Sequence, residues 1–189
     1  MTTLSELQSF CKDKSIIIVG NSSSILNHKM GKLIDSYNVV VRINRGYHSN
    51  NIFANSLGSK TNILSIGIKS ASQANHLVSS NKMDYILSPI IWSDKLSFPN
   101  VYDIDHSTYH QLKDELGGIK PSTGISTFNF FNKLIDCKQL DLIGFDFFQS
   151  STPQRNALGH FFVKDHNGTK EQEFFENSKD PNKTKLHLL

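Results

Sequence analysis

Ser15-Ile-Ile-Ile-Val19 is an apolar run with no polar alternation, and it stops at Gly20-Asn21. A strand with one face in water alternates apolar and polar residues. An unbroken β-branched run instead needs cover on both faces, as in a parallel sheet between helices. Val39–Ile43 repeats the pattern around a single Arg42 and closes on Asn44-Arg45-Gly46. Asn62–Ile68, Tyr85–Trp92 and Gln139–Phe145 read as further strands. Helices are expected between them: Ile25–Asp35 capped from Ser22–Ser24, Ser70–Ser80, Thr108–Leu116 ending at Gly117-Gly118, and Ile125–Ile135 opened by Pro121-Ser122-Thr123-Gly124. A last helix, Thr169–Asn177, has Asp165 or Asn167 as its cap. Such alternation builds right-handed βαβ units. The expected fold is α/β: a single Rossmann-like domain over residues 1–189, mostly parallel, with helices on both faces. Its core spans about 15–178, and the tail after Lys179 reads as loose.

A length of 189 residues suits one domain at roughly 150 residues each. With 38% hydrophobic and 20% charged residues, the chain is globular rather than disordered. No apolar stretch approaches the ~20 residues of a membrane-spanning helix. Met1–Lys14 is polar and lacks the apolar centre of a signal peptide. The chain is therefore expected in a cytosol. The net charge of +3 comes from scattered Lys and Arg with no run of four, which gives no reason to expect a nucleic-acid partner. Cys11 and Cys137 form no metal spacing and read as two unpaired thiols.

In parallel sheets, ligands bind beyond the carboxyl ends of the strands. That rule points to Gly20-Asn21-Ser22, Arg42-Ile43-Asn44-Arg45 and Gly144-Phe145-Asp146. A glycine closing the first strand allows a tight turn whose following N–H groups face an anion. Neither the three-glycine dinucleotide fingerprint nor the Gly-Lys-Ser/Thr of a Walker loop is present. Taken singly, each element has a plainer reading. The first turn is ordinary turn chemistry, Arg42 pairs with a surface carboxylate, and Lys120-Pro-Ser-Thr-Gly124 caps a helix. Asp103-Ile104-Asp105 has the form of a metal-holding Asp-x-Asp, yet a solvated loop or helix cap is the expected role, and no metal is assigned. His160 and His166 are side chains suited to base chemistry near neutrality, although an isolated histidine is more often structural.

Order and spacing add more than the pieces. From Ser15 to about Glu176 the chain resembles the sialyltransferases of glycosyltransferase family 29. The large motif is similar to Ile16–Leu26, with Gly20-Asn21-Ser22 inside it, followed by Gly31, Ile34-Asp35-Ser36 and Val40-Val41-Arg42-Ile43-Asn44. Gly58-Ser59-Lys60-Thr61 resembles the segment after it. The small motif resembles Pro121-Ser122-Thr123-Gly124 through Cys137 and on to Leu140–Phe145. His160-Phe161-Phe162 resembles a short His-aromatic motif, and His166 with Glu171 the very small motif.

The resemblance implies an inverting transfer from a CMP donor to a hydroxyl of a glycan acceptor, without a metal or other cofactor. It places Gly20, Asn21, Ser22, Asn44, Ser122, Thr123, Gly124 and Gly144 around the donor. It makes His166 the base and sets His160, with helix-terminal N–H groups, against the departing phosphate. A membrane would then be approached only through the acceptor.

Some positions depart from the family. Ile16 stands where animal enzymes carry a disulfide-forming cysteine, so Cys137 lacks that partner. The stem and membrane anchor are not present, and the acceptor-binding loops are expected to be trimmed. Bacterial family 42 enzymes and transferases of Kdo or pseudaminic acid are expected to share a similar core. The donor sugar is accordingly sialic acid or a related nonulosonate. A CMP-Kdo-type transferase and a degenerate CMP-binding protein are the alternatives, and the His160–His166 pair favours an enzyme.

Overall fold

A computed structural model of the chain describes residues 2–46, 53–67, 71–78, 83–89, 96–149 and 166–189. Strand β1 (Ser15–Val19) sends Ile16 and Ile18 into one apolar layer and Ile17 and Val19 into the other. This two-sided burial is what an unbroken apolar run requires. Parallel neighbours keep the same alternation. In β2 (Val39–Ile43) Val39 and Val41 share the first layer, and Val40 the second. The remaining strands are β3 (Ile63–Ser65), β4 (Tyr85–Ser88), β5 (Val101–Asp103), β6 (Gln139–Ile143) and β7 (Thr184–His187). Together they form one seven-stranded sheet of order β5-β4-β3-β2-β1-β6-β7, parallel throughout.

Among the described residues, four helices pack on the Ile16–Ile18 face: α1 (Leu4–Cys11), α5 (His106–Glu115), α6 (Thr123–Leu134) and α7 (Gly168–Ser178). The other face carries a 3-10 turn (Ser23–Asn27), α2 (Gly31–Ser36), α3 (Ala54–Leu57) and, over Leu64 and Ile86, α4 (Ala71–Val78). The molecule is thus a single α/β domain with a parallel sheet between helices. None of the helices among the described residues is long and apolar enough to cross a membrane.

Several boundaries differ from the sequence reading. The expected helix Ile25–Asp35 is two pieces, because α2 restarts at Gly31 where the chain presses against α3. A Cβ on Gly31 would lie 2.0 Å from the Ala54 carbonyl oxygen. Strands β3, β4 and β6 are shorter than their apolar runs. Asp105 accepts the Thr108 N–H at 2.9 Å and caps α5, so the end of the Asp-x-Asp serves as a helix cap. Arg42 does not lie at the surface. It is buried, with Nε donating to the Lys60 carbonyl (3.1 Å) and Thr61 Oγ1 (3.0 Å) and Nη2 to the Leu57 carbonyl (2.7 Å).

The tail after Lys179 is not loose. Its strand β7 is anchored by His187, whose Nε2 lies 2.7 Å from Asp141 Oδ2. The same buried oxygen accepts the Tyr37 hydroxyl at 2.5 Å and Gln139 Nε2 at 3.0 Å. Burial, and then the Asp141 carboxylate, push the Tyr37 hydroxyl pKa up. Cys11 and Cys137 are free, buried thiols, and burial raises Cys11 to about 12.

Candidate functional site

The chain lays β2 to β5 successively to one side of β1, then crosses over to place β6 on the other. At that reversal the connections after β1 and β6 leave in opposite directions and open a crevice. The two strands end on glycines that nearly touch. A Cβ on Gly20 would lie 2.3 Å from the Gly144 carbonyl oxygen, and Gly144 itself has φ +70°. Only glycine fits either position. The Ser22 N–H donates to the Gly144 carbonyl at 3.0 Å and fixes how the two turns splay apart.

The crevice opens to solvent and is lined by Gly20, Asn21, Ser22, Asn44, Ser122, Thr123, Gly124, Gly144 and His166. Every sequence-selected site residue within the described part of the chain therefore meets in one cleft. His160 lies outside the described residues. Phe145 and Asp146, from a strand end that the sequence pointed to, and Glu171, Phe147 and Phe148 also line the wall. Glu171 was legible as half of a motif. Phe147 and Phe148 were not, because adjacent aromatics read as core.

Amide side chains tie the strand ends together. Asn21 Nδ2 donates to the Ile43 carbonyl at 3.1 Å, joining the turns after β1 and β2. Asn44 sits at φ +48°, a conformation that asparagine tolerates better than most residues. Its Oδ1 accepts the Gly67 N–H at 2.7 Å, and its Nδ2 donates to Thr123 Oγ1 at 3.2 Å. Asn44 thus locks β2, β3 and the start of α6 into one floor.

Ser122 caps α6 by accepting the Ile125 N–H at 3.2 Å. Its own N–H and hydroxyl both donate to Glu171, to Oε1 at 2.8 Å and Oε2 at 2.7 Å. Glu171 is 3% exposed, and its carboxyl is pushed up to about 7 because burial outweighs the two Ser122 bonds. This clamp fixes α7 against the amino end of α6. His166, two residues before α7, is 2.8 Å through Nδ1 from the Lys120 carbonyl oxygen. A carbonyl only accepts, so Nδ1 carries a proton and the neutral ring presents its lone pair at Nε2. Asp146 faces these groups, accepting Ser22 Oγ–H at 3.0 Å through Oδ2 and the Phe148 N–H at 3.2 Å through Oδ1.

Comparison with known proteins agrees with this architecture. The sequence model of glycosyltransferase family 29 (sialyltransferase) matches residues 8–100. Over that stretch, just under half of its length, the chain is similar to the family 29 sialyltransferases. Two crystal structures of a mammalian sialyltransferase share its fold. One superposes with a TM-score of 0.66 at 17% identity over 99% of this chain and 73% of the other. The second, in complex with Gal-beta-1-3GalNAc-ortho-nitrophenol, gives a TM-score of 0.62 at 18% identity over 94% and 69%. No curated protein matches by sequence. Within the family pattern, Gly58-Ser59-Lys60-Thr61 lies away from the cleft. Its N–H and hydroxyl groups wrap the Asp35 carboxylate.

Proposed function

We propose that this family 29 relative moves sialic acid, or a related nonulosonate, from a CMP donor to a glycan hydroxyl in a single inverting, metal-independent displacement. The observation that carries this reading is His166. It stands in the wall of the Asn21–Asn44–Ser122 cleft, its tautomer set by the Lys120 carbonyl. The amide, hydroxyl and backbone groups around it suit cytosine, ribose and phosphate.

In this scheme the acceptor oxygen attacks the anomeric carbon from the face opposite CMP. The bond to the phosphate oxygen breaks, and His166 Nε2 takes the acceptor proton. Charge that grows on the departing phosphate meets N–H groups at the start of α6 and, by its motif, His160. The cleft carboxylates are engaged by protein donors: Asp146 by Ser22 and Phe148, and Glu171 by Ser122. This arrangement supports donor binding without a bridging cation.

His166→Ala is expected to lower turnover by about 10²–10⁴-fold with CMP affinity by calorimetry nearly unchanged. His160→Ala is expected to weaken both. Near-normal turnover in folded His166→Ala removes it as the base, and activity lost in EDTA and restored by manganese removes metal independence. A panel of CMP-sugars read by mass spectrometry separates sialic acid from Kdo. CMP binding without transfer or donor hydrolysis on any of them identifies a degenerate relative.

A further inference from the structure

The turn after β6 contains two consecutive non-glycine residues in the left-handed region, Phe147 (φ +50°) and Phe148 (φ +68°). Side chains with a Cβ disfavour this conformation, which glycine adopts readily. Phe148 is also 43% exposed, so burial of its ring does not explain it. Neither local backbone preference nor the hydrophobic effect accounts for a phenylalanine here. Strain of this sort persists where surrounding contacts over-determine it, and such places cluster at functional sites.

The surrounding contacts are specific. Asp146 Oδ1 accepts the Phe148 N–H, and the Asp146 carbonyl accepts the Gln149 N–H at 3.1 Å. Phe147 packs on Phe175 with ring centroids 6.0 Å apart. Its carbonyl presses on Gly168, where a Cβ would come within 1.8 Å. So held, the Phe148 ring lies over the His166 imidazole with centroids 5.6 Å apart and planes 15° from parallel. The Lys120 bond fixes one edge of the imidazole, and the flat aromatic face against the ring restrains rotation about that contact.

We infer that Phe148 is a positioning residue that fixes the plane of the His166 ring, and that Asp146 holds it in that pose. The inference rests on the proposed base role of His166. Because Asp146 also accepts from Ser22, it joins the turn after β1 to the platform under the base.

The test separates stability from rate. Phe148→Gly relieves the backbone strain, so its melting temperature is expected to stay level or rise. Its kcat is expected to fall roughly 10- to 100-fold through misplacement of the base, with donor KM little changed. Phe148→Tyr keeps the ring and is expected to restore most of kcat. In NMR spectra the His166 ring protons should show an aromatic ring-current shift in the wild type and Phe148→Tyr, and lose it in Phe148→Gly. Asp146→Ala is expected to lower kcat, and Asp146→Asn, which keeps an acceptor oxygen for the Phe148 N–H, to recover it. A folded Phe148→Gly with wild-type kcat overturns the inference while leaving His166 as base. Wild-type turnover in His166→Ala overturns the base role and the inference with it.

Discussion

Gly58–Thr61 and Pro121–Gly124 look alike as sequences, each a short hydroxyl-bearing stretch with a glycine, and they do opposite things. In the first, Ser59 N–H reaches both Asp35 oxygens at 2.9 Å, and the Lys60 N–H and Ser59 hydroxyl complete the ring at 2.9 and 3.1 Å. Gly58, at φ +69°, leaves no room for a Cβ beside Asp35 Oδ1. The Lys60 carbonyl and Thr61 hydroxyl then accept from buried Arg42. These groups bind the protein's own side chains. In the second stretch Ser122, Thr123 and Gly124 start a long helix and line the cleft. What separates them is placement: one enters β3 at its amino end, and the other faces the carboxyl ends where the strand order reverses.

Changes in the two regions should therefore part company, with the largest effect at Arg42. Arg42→Met leaves the Leu57 and Lys60 carbonyls without this donor and should cost about 3 kcal/mol of stability by urea unfolding. CMP affinity of the folded fraction should be unchanged, and a lost CMP site in folded protein would break the contrast. Next, Asn44→Ala should weaken CMP by about 1–3 kcal/mol in calorimetry, because it frees the Gly67 N–H and Thr123 Oγ1 that shape the floor. Asp35→Asn should cost about 1 kcal/mol of stability and leave turnover of folded protein intact.

A pH-dependent effect concerns Glu171, whose carboxyl is raised from the ordinary value of 4.5 to about 7 when folded. A group with a raised folded pKa contributes its stability below the unfolded pKa and loses it as pH rises through the folded one. Wild-type stability should thus fall between about pH 4.5 and 7. Glu171→Gln should lack that decline, so melting curves of the two proteins should converge at low pH and favour Gln above neutrality. Parallel curves would show that the clamp does not titrate in this range.

Much of the fold was legible because its signal is local. β1 and β2 coincide with their apolar runs, since full burial on both faces demands such runs. Ser122, Asp105 and Asn167 cap helices as small polar residues do. Strand β7 was missed because Thr184-Lys-Leu-His187 has no apolar run, and its docking depends on the distant Asp141 and Tyr37. Helix α1 carries a Thr3–Glu6 capping box that was available to read and was passed over. At the site, the strand-end turns sufficed to collect Asn21 and Asn44, and the motif resemblance added Ser122 and His166. The Glu171 clamp and the Phe148 platform were hidden, since burial of a carboxylate and a left-handed phenylalanine are products of tertiary packing.

The position of β1 also governs when the cleft comes into existence. Val19 pairs with Ile143, so β1 to β5 can assemble while the β6 side of β1 is still an open edge. Pairings between strands so distant along the chain form slowly, and an open edge in the interval invites association with other chains. Gly20 meets Gly144, and Ser22 meets Asp146, only once β6 has docked. The cleft is thereby reserved for the finished molecule. A ligand that binds the native state alone stabilises it by mass action. Donor present during refolding should raise the yield of native chain without hastening the assembly of β1 to β5.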